Sequence, residues 1–284
     1  MNFIFRLLSL LPLWALHALG IVLGWLSYLS PTYRRRFAAN AQQAGYSPGQ
    51  VRAAVAEGGK LIAELPRLWM GRPVKVTWEG SHLIDAALDA GRAIVFLTPH
   101  MGCFEITAQA YARRYGARHG DITVLFRPAR KAWLAPLVDS VRDRPGLKAA
   151  PANLSGVKQL IKALQTGQAV GLLPDQVPPE GLGVWSPFFG KPAYTMTLSV
   201  RLARQPNTTP LLAWGERLSW GRGYVVHLRP MPHTLSANTD TAVAQINHAM
   251  ETLIRECPEQ YLWGYARYKT PRDNRLDDQR VRGA

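Results

Sequence analysis

An α/β fold is predicted, with a mostly parallel or mixed sheet covered by helices and a membrane helix at the N-terminus. Three features point to it. Residues 7 to 30 contain no Asp, Glu, Lys or Arg; from Val74 onward strand-like and helix-like periods alternate; and RAIVFL and QAVGLL are continuously apolar, as strands covered on both faces are. With 284 residues, 47% of them hydrophobic, the chain is long enough for one large core and a short appendage.

The first element, LLSLLPLWALHALGIVLGWLSYLS, exceeds the roughly 20 residues that cross a bilayer. No A-x-A cleavage site closes it, and Arg34, Arg35 and Arg36 follow at once, so it reads as a retained anchor rather than a signal peptide. The arginines hold the chain after them in the cytoplasm, with Trp14, Trp25, Tyr28 and Tyr33 at headgroup depth. Pro12, His17, Gly20 and Gly24 weaken an ideal span and keep a tilted or monotopic helix as the alternative. Residues 1–30 are therefore the expected anchor, 31–72 a helical adapter, 73–270 the α/β domain and 271–284 a polar tail.

In the adapter, residues 49–70 carry Val51, Val55, Leu61, Ile62, Leu65 and Trp69 at helical spacing, with Pro66 bending or ending the helix. VKVTWEG then alternates like a strand, SHLIDAALDAG is a helix opened by a serine, and RAIVFLTPH is a buried strand with its exit. The unit recurs: a helix at 103–115, the strand DITVLF, helices from Arg130 to Asp139 and over SGVKQLIKALQTG, and the strand QAVGLLP. VPPEGLGVWSPFFGKPA is expected to form a stiff apolar lip. A helix near 194–204, strands near 209–216 and 223–229, and a helix over 239–256 complete the domain.

The balance of 34 Lys+Arg against 19 Asp+Glu gives a formal charge of +15 and calls for an anionic partner: nucleic acid, anionic lipid or an acidic protein. Cys103 and Cys257 lie far apart, which gives neither a zinc site nor a disulfide framework. Ligands of open α/β sheets collect beyond the carboxyl ends of strands, and His100 stands there, with Glu105 in the first turn of the next helix. A histidine, with an ordinary pKa of about 6.5, and a carboxylate to fix its tautomer make a base and its orienter. The H-x4-E spacing alone also fits a loop histidine beside a helix-start glutamate. Cys103, between the two, reads as a small packed residue rather than a nucleophile. Neither a G-x-S-x-G elbow nor a P-loop occurs, and no second histidine supports a metal, so direct transfer to a substrate hydroxyl remains.

Arg127 follows the strand DITVLF, where a guanidinium can clamp phosphate with two prongs. Arg130, Lys131 and Arg144 read equally as a solvated face. Asp175 and Gln176 end the strand of LLPDQ on the same rim, placed to bind or orient a polar acceptor or to hold a turn.

HMGCFE, FRP followed by RDRPG, LLPDQ, PFFGKPA and PEQYLWGYARYK occur in the order found in the lipid A biosynthesis acyltransferases, the late lauroyl- and myristoyltransferase group of the lysophospholipid acyltransferase superfamily. The chain resembles that family from its apolar N-terminus to about Lys269. The resemblance implies a glycerolipid acyltransferase-like fold and a single-pass or monotopic inner-membrane protein with its site in the cytoplasm. It implies transfer of a fatty acyl group from acyl carrier protein to a hydroxyl of a lipid A precursor, without cofactor or metal. His100 would be the base, Glu105 its carboxylate partner, Arg127 and Arg142 the contacts to phosphate or oxyanion, and Asp175 with Gln176 the acceptor contacts. The family's RFK-like ending stands here as Ala266, Arg267, Tyr268 and Lys269, and NAQQAGYS replaces a cysteine- and phenylalanine-bearing segment. Both departures bear on the acceptor, and relatives acylate other lipids. A glycerophospholipid acyltransferase usually has Asp where Glu105 stands and lacks the PEQYLW ending. A membrane-tethered basic binding protein would explain the charge but not the polar residues at successive strand exits, and no nucleic-acid fingerprint is present.

Overall fold

The computed structural model describes residues 2–126 and 144–272. The expected helix from Arg130 to Asp139 lies outside the described residues, as do Arg127, Arg142 and most of the expected tail.

The N-terminus forms α1 (Asn2–Leu10), α2 (Leu13–Tyr28), α3 (Pro31–Gln43), α4 (Ala53–Ala63) and α5 (Leu65–Met70). The one continuous membrane helix expected over 7–30 is instead two helices. Pro12, extended and without an N–H to donate, caps α2 and separates it from α1, and the pair is bent by 120°. Among the described residues no single helix is long and apolar enough to cross a membrane, although this bent pair passes by length and composition together.

The glycines that weakened α2 as a lipid-facing span have a packing reason. A Cβ on Gly59 of α4 would lie 2.0 Å from the Gly20 carbonyl oxygen and 2.4 Å from the Gly24 nitrogen, so the two backbones touch and only glycine fits. One face of α2 is thereby buried through Leu16, His17, Gly20 and Gly24, while Trp14, Val22 and Leu26 on the other faces stay exposed. The helix expected over 49–70 is likewise split at Glu64, just ahead of Pro66 in the first turn of α5.

The body is a seven-stranded sheet of β1 (Val76–Glu79), β2 (Ala93–Leu97), β3 (Ile122–Phe126), β4 (Leu147–Pro151), β5 (Ala169–Leu172), β8 (Thr208–Arg217) and β9 (Tyr224–Pro230), in the order β1-β9-β8-β2-β5-β3-β4. All neighbours are parallel except β8 and β9, so the sheet is mixed, as expected. β4 was not expected, because LKAAP has no strand pattern of its own and exists through its register with Ile122 to Phe126. The segment expected as a lip contains a hairpin, β6 (Gly183–Phe188) and β7 (Lys191–Met196), turned at Phe189 and Gly190 with φ of 47° and 74°.

The pleat of β2 divides the interior. Ala93, Val95 and Leu97 join a core with Phe37, Val55 and residues of α8 (Leu154–Gln165) and α10 (Thr239–Glu256), whereas Ile94 and Phe96 pack beneath α6 (His82–Asp89) and α7 (Phe104–His119). Phe37 and Val55 are each 1% exposed, and burying such side chains contributes about 1.5–3 kcal/mol apiece. Residues 31–72 thus contribute side chains to the core of the body.

Candidate active site

His100 lies three residues past the end of β2, and Asp175 three past the end of β5. The two strands are parallel neighbours with Leu97 opposite Leu172, so equal steps beyond the pair bring both side chains together. Nδ1 of His100 is 2.6 Å from Oδ1 of Asp175, and the His100 backbone N–H donates to Oδ2 at 2.9 Å. The place expected for Glu105, the carboxylate on the imidazole, is therefore taken by Asp175. The reason is this register: the parallel neighbour delivers a carboxylate beside the ring, whereas Glu105 is already in the first turn of α7.

Asp175 is 2% exposed. Burial alone would raise its pKa, but the charge of His100, the two hydrogen bonds from that residue and the charge of Arg267 outweigh it, and the carboxyl is held below its ordinary value. Arg267, itself buried, donates from Nη1 to the Tyr194 carbonyl at 2.7 Å and lies 4.8 Å from the Phe188 ring centroid. The Phe104 ring meets the imidazole edge-on at 5.0 Å. Among the described residues Nε2 of His100 makes no hydrogen bond, and His100 lines a cavity of about 1050 Å³.

That cavity is lined by residues at the strand ends and by Phe96, Tyr111, Val124, Ala213 and Leu228 of the sheet and α7. Its size is at the upper end of ordinary ligand pockets and its depth is apolar. Thr98, Glu105 and Gln176 stand on its wall, together with Arg201 of α9 (Leu198–Ala203). Asp175, expected to help bind or orient the acceptor, is not among the residues lining the cavity and lies against the imidazole at Nδ1. Gln176 lines it. Arg144, left open between a solvated face and an anion contact, is partly buried, donates to the Leu68 carbonyl at 3.0 Å, and has its pKa lowered by burial against an opposing effect of Glu105.

The loop carrying His100 is held on two sides. Gly102, at φ 56°, donates to the Gln260 carbonyl at 2.9 Å, and a Cβ there would lie 2.0 Å from the Gly215 oxygen. Cys103 donates its N–H to Gly215 at 2.8 Å, and Leu262 donates to the His100 carbonyl at 3.1 Å. The family-like PEQYLW segment is thus part of the frame around His100. Cys103 is fully buried, and burial pushes its thiol well above the ordinary range, the reverse of what a nucleophile needs. No group of three or more His, Cys, Asp or Glu that could hold a metal occurs among the described residues.

A family model described as bacterial lipid A biosynthesis acyltransferase matches residues 3–270. Lipid A biosynthesis acyltransferase 2 of Shigella flexneri is 25% identical over 208 residues, 72% of this chain and 64% of the relative. The lipid A biosynthesis lauroyltransferase of Escherichia coli (strain K12) is 29% identical over 174 residues, 60% of this chain and 55% of the relative. The myristoyltransferase of the same strain is 23% identical over 192 residues, covering 66% and 57%. The chain thus matches less than two thirds of the length of each of these relatives.

Proposed function

The chain belongs to the bacterial lipid A biosynthesis acyltransferase family, and on that premise we propose that it is an O-acyltransferase, moving a fatty acyl group from the thioester of acyl carrier protein to a hydroxyl of a lipid A precursor or a related glycolipid. One observation supports this most: an imidazole backed by a buried carboxylate at 2.6 Å, with its other nitrogen unbonded among the described residues, at the wall of a long apolar cavity.

In the proposed reaction the acceptor hydroxyl attacks the thioester carbon while Nε2 of His100 takes its proton. Asp175 keeps the proton of the neutral ring on Nδ1 and stabilises the imidazolium that forms. The tetrahedral intermediate then collapses, the carbon–sulfur bond breaks, and the leaving thiolate recovers the proton from Nε2. The apolar wall beneath α7 takes the acyl chain. Gln176 and Glu105 meet the polar acceptor, and Arg127 and Arg142 are proposed for its phosphate or the developing oxyanion. The charge of +15 suits both an acidic carrier protein and a phosphorylated lipid.

We place the protein on the inner membrane with its body in the cytoplasm. Phe3, Ile4, Leu7 and Leu10 on α1 and Trp14 on α2 are all well exposed, with Arg34, Arg35 and Arg36 exposed on α3 beyond them. This pattern favours a bent pair lying in one leaflet beside anionic headgroups. The deciding measurement is transfer from acyl carrier protein by the purified His100→Ala variant, alongside mass spectrometry of lipids from cells with and without the gene. Turnover should fall by about 10²–10⁴-fold. A folded His100→Ala that retains wild-type transfer would refute the proposal, whereas a Cys103→Ser variant that loses activity would point to a covalent route.

A further inference from the structure

Beneath the His100 loop lies a charged cluster that the proposed chemistry does not use. Arg217, at the end of β8 and 4% exposed, donates from Nε and Nη2 to the two carboxylate oxygens of Glu64 at 2.8 and 2.6 Å, and from Nη1 to Glu57 at 2.6 Å. Glu64, fully buried, also accepts from the Tyr224 hydroxyl at 2.9 Å and pairs with Nε2 of His17 at 3.3 Å. The network therefore joins α2, α4, β8 and β9. A bond from it reaches the His100 loop: Nη2 of Arg217 donates to the Gly102 carbonyl at 3.1 Å.

The backbone of Arg217 grips the same place by another route. Its N–H donates to Oε1 of Gln260 and its carbonyl accepts from Nε2, both at 2.9 Å, while the Gln260 carbonyl accepts the Gly102 N–H at 2.9 Å. Both polar groups of the Gly102 peptide positions are thus fixed through Arg217, two residues from His100. Stability alone is a weak reason for such a cluster, because a buried ion network is often no more stable than apolar side chains of similar volume. A fixed geometry is a better one, since displacement of about 1 Å in a reacting group can lower turnover about 10²-fold.

We propose that Arg217 is a positioning residue for His100, and that through Glu64 and His17 the N-terminal helix α2 forms part of the scaffold of the catalytic loop. The inference rests on His100 being the general base. It means that the bent helix pair has a part in catalysis besides attaching the protein to lipid.

The test uses the full chain in detergent micelles with an acyl carrier protein thioester as donor. The double variant Arg217→Met with Glu64→Leu removes the buried pair and fills its space, leaving Glu57 with Lys60 as its partner, but has no donor for Gly102. We expect it to unfold near the wild-type temperature, with kcat lower by about 10–10²-fold and KM little changed. Wild-type kcat in that double variant would overturn the inference. Should it unfold early, Glu64→Gln decides through amide hydrogen exchange. Faster exchange confined to residues 100–103, with β2 and β5 still protected and kcat reduced, supports positioning; uniform loss of protection, or wild-type kcat, overturns it. His100→Ala in the same assay separates the two readings. If it is inactive while the double variant is fully active, only the positioning role fails; if it is itself active, the base assignment fails and takes the inference with it.

Discussion

Replacing Asp175 by Asn tests the proposed base most directly, because the side chain keeps its shape and loses its charge. In the native site one carboxylate oxygen faces Nδ1 at 2.6 Å and the other accepts the His100 N–H at 2.9 Å. An amide has only one acceptor oxygen. If that oxygen keeps the backbone N–H, its NH₂ faces Nδ1 and stabilises the tautomer with the proton on Nε2, which cannot act as a base. If the amide flips, NH₂ meets the backbone N–H and one donor is left without an acceptor. The lost charge adds to either outcome. With charge centres about 4 Å apart and an effective dielectric of about 20, the carboxylate stabilises the imidazolium by about 4 kcal/mol. At about 1.36 kcal/mol per decade that is a loss of about 10³-fold in kcat. KM should change little, because Asp175 does not line the cavity. The assay is initial-rate transfer from acyl carrier protein to a phosphorylated glycolipid, with thermal unfolding to check the fold. A folded Asp175→Asn with wild-type kcat would refute the reasoning, and so would a larger loss in Glu105→Gln, which would return the ring carboxylate to Glu105.

Two further outcomes follow from the N-terminal packing. Burial would raise the pKa of Glu64, but the charge and hydrogen bonds of Arg217 with those of His17 bring it to about 2, below its ordinary 4.5. Because the folded value is the lower one, the contribution is present above about pH 4.5 and is lost as pH falls toward about 2; the shift amounts to about 3 kcal/mol. Acid unfolding curves should therefore be shallower in Glu64→Gln, and curves of wild-type steepness would contradict the assignment. Gly59→Ala forces a methyl into the Gly20 and Gly24 backbone and should destabilise by about 1–3 kcal/mol, whereas Gly49→Ala, with only Ser47 at 3.9 Å, should unfold like the wild type. Equal unfolding temperatures for the two would show that α2 does not bear on α4 as closely as described.

Much of this was legible in the sequence, and what escaped has identifiable causes. The apolar strand, its exit at His100 and the helix after it follow from local pattern, since a buried parallel strand and an amphipathic helix each have a period of their own. That Asp175 rather than Glu105 meets the ring depends on which strand neighbours which, and strand order leaves no mark on local periodicity. β4 is held by its neighbour rather than by propensity, and the hairpin β6–β7 was hidden because a proline- and glycine-rich sequence looks like a loop until it pairs. The N-terminal run was correctly read as apolar, but hydropathy cannot tell a face packed on another helix from one packed on lipid. The Arg217 cluster gathers residues 17, 57, 64, 217 and 224 from across the chain, a contact set that no spacing rule connects.

The clamp on His100 by residues 260–262 bears on how the protein is made. A chain leaving the ribosome can pair β2 with β5 once residue 172 is free, and the cavity wall follows with β8 and β9. The bonds from Gly102 to Gln260 and from Leu262 to His100 are formed only when almost all of the described chain has emerged. The Gly102 N–H and the His100 carbonyl thus gain their partners after the strands of the sheet gain theirs.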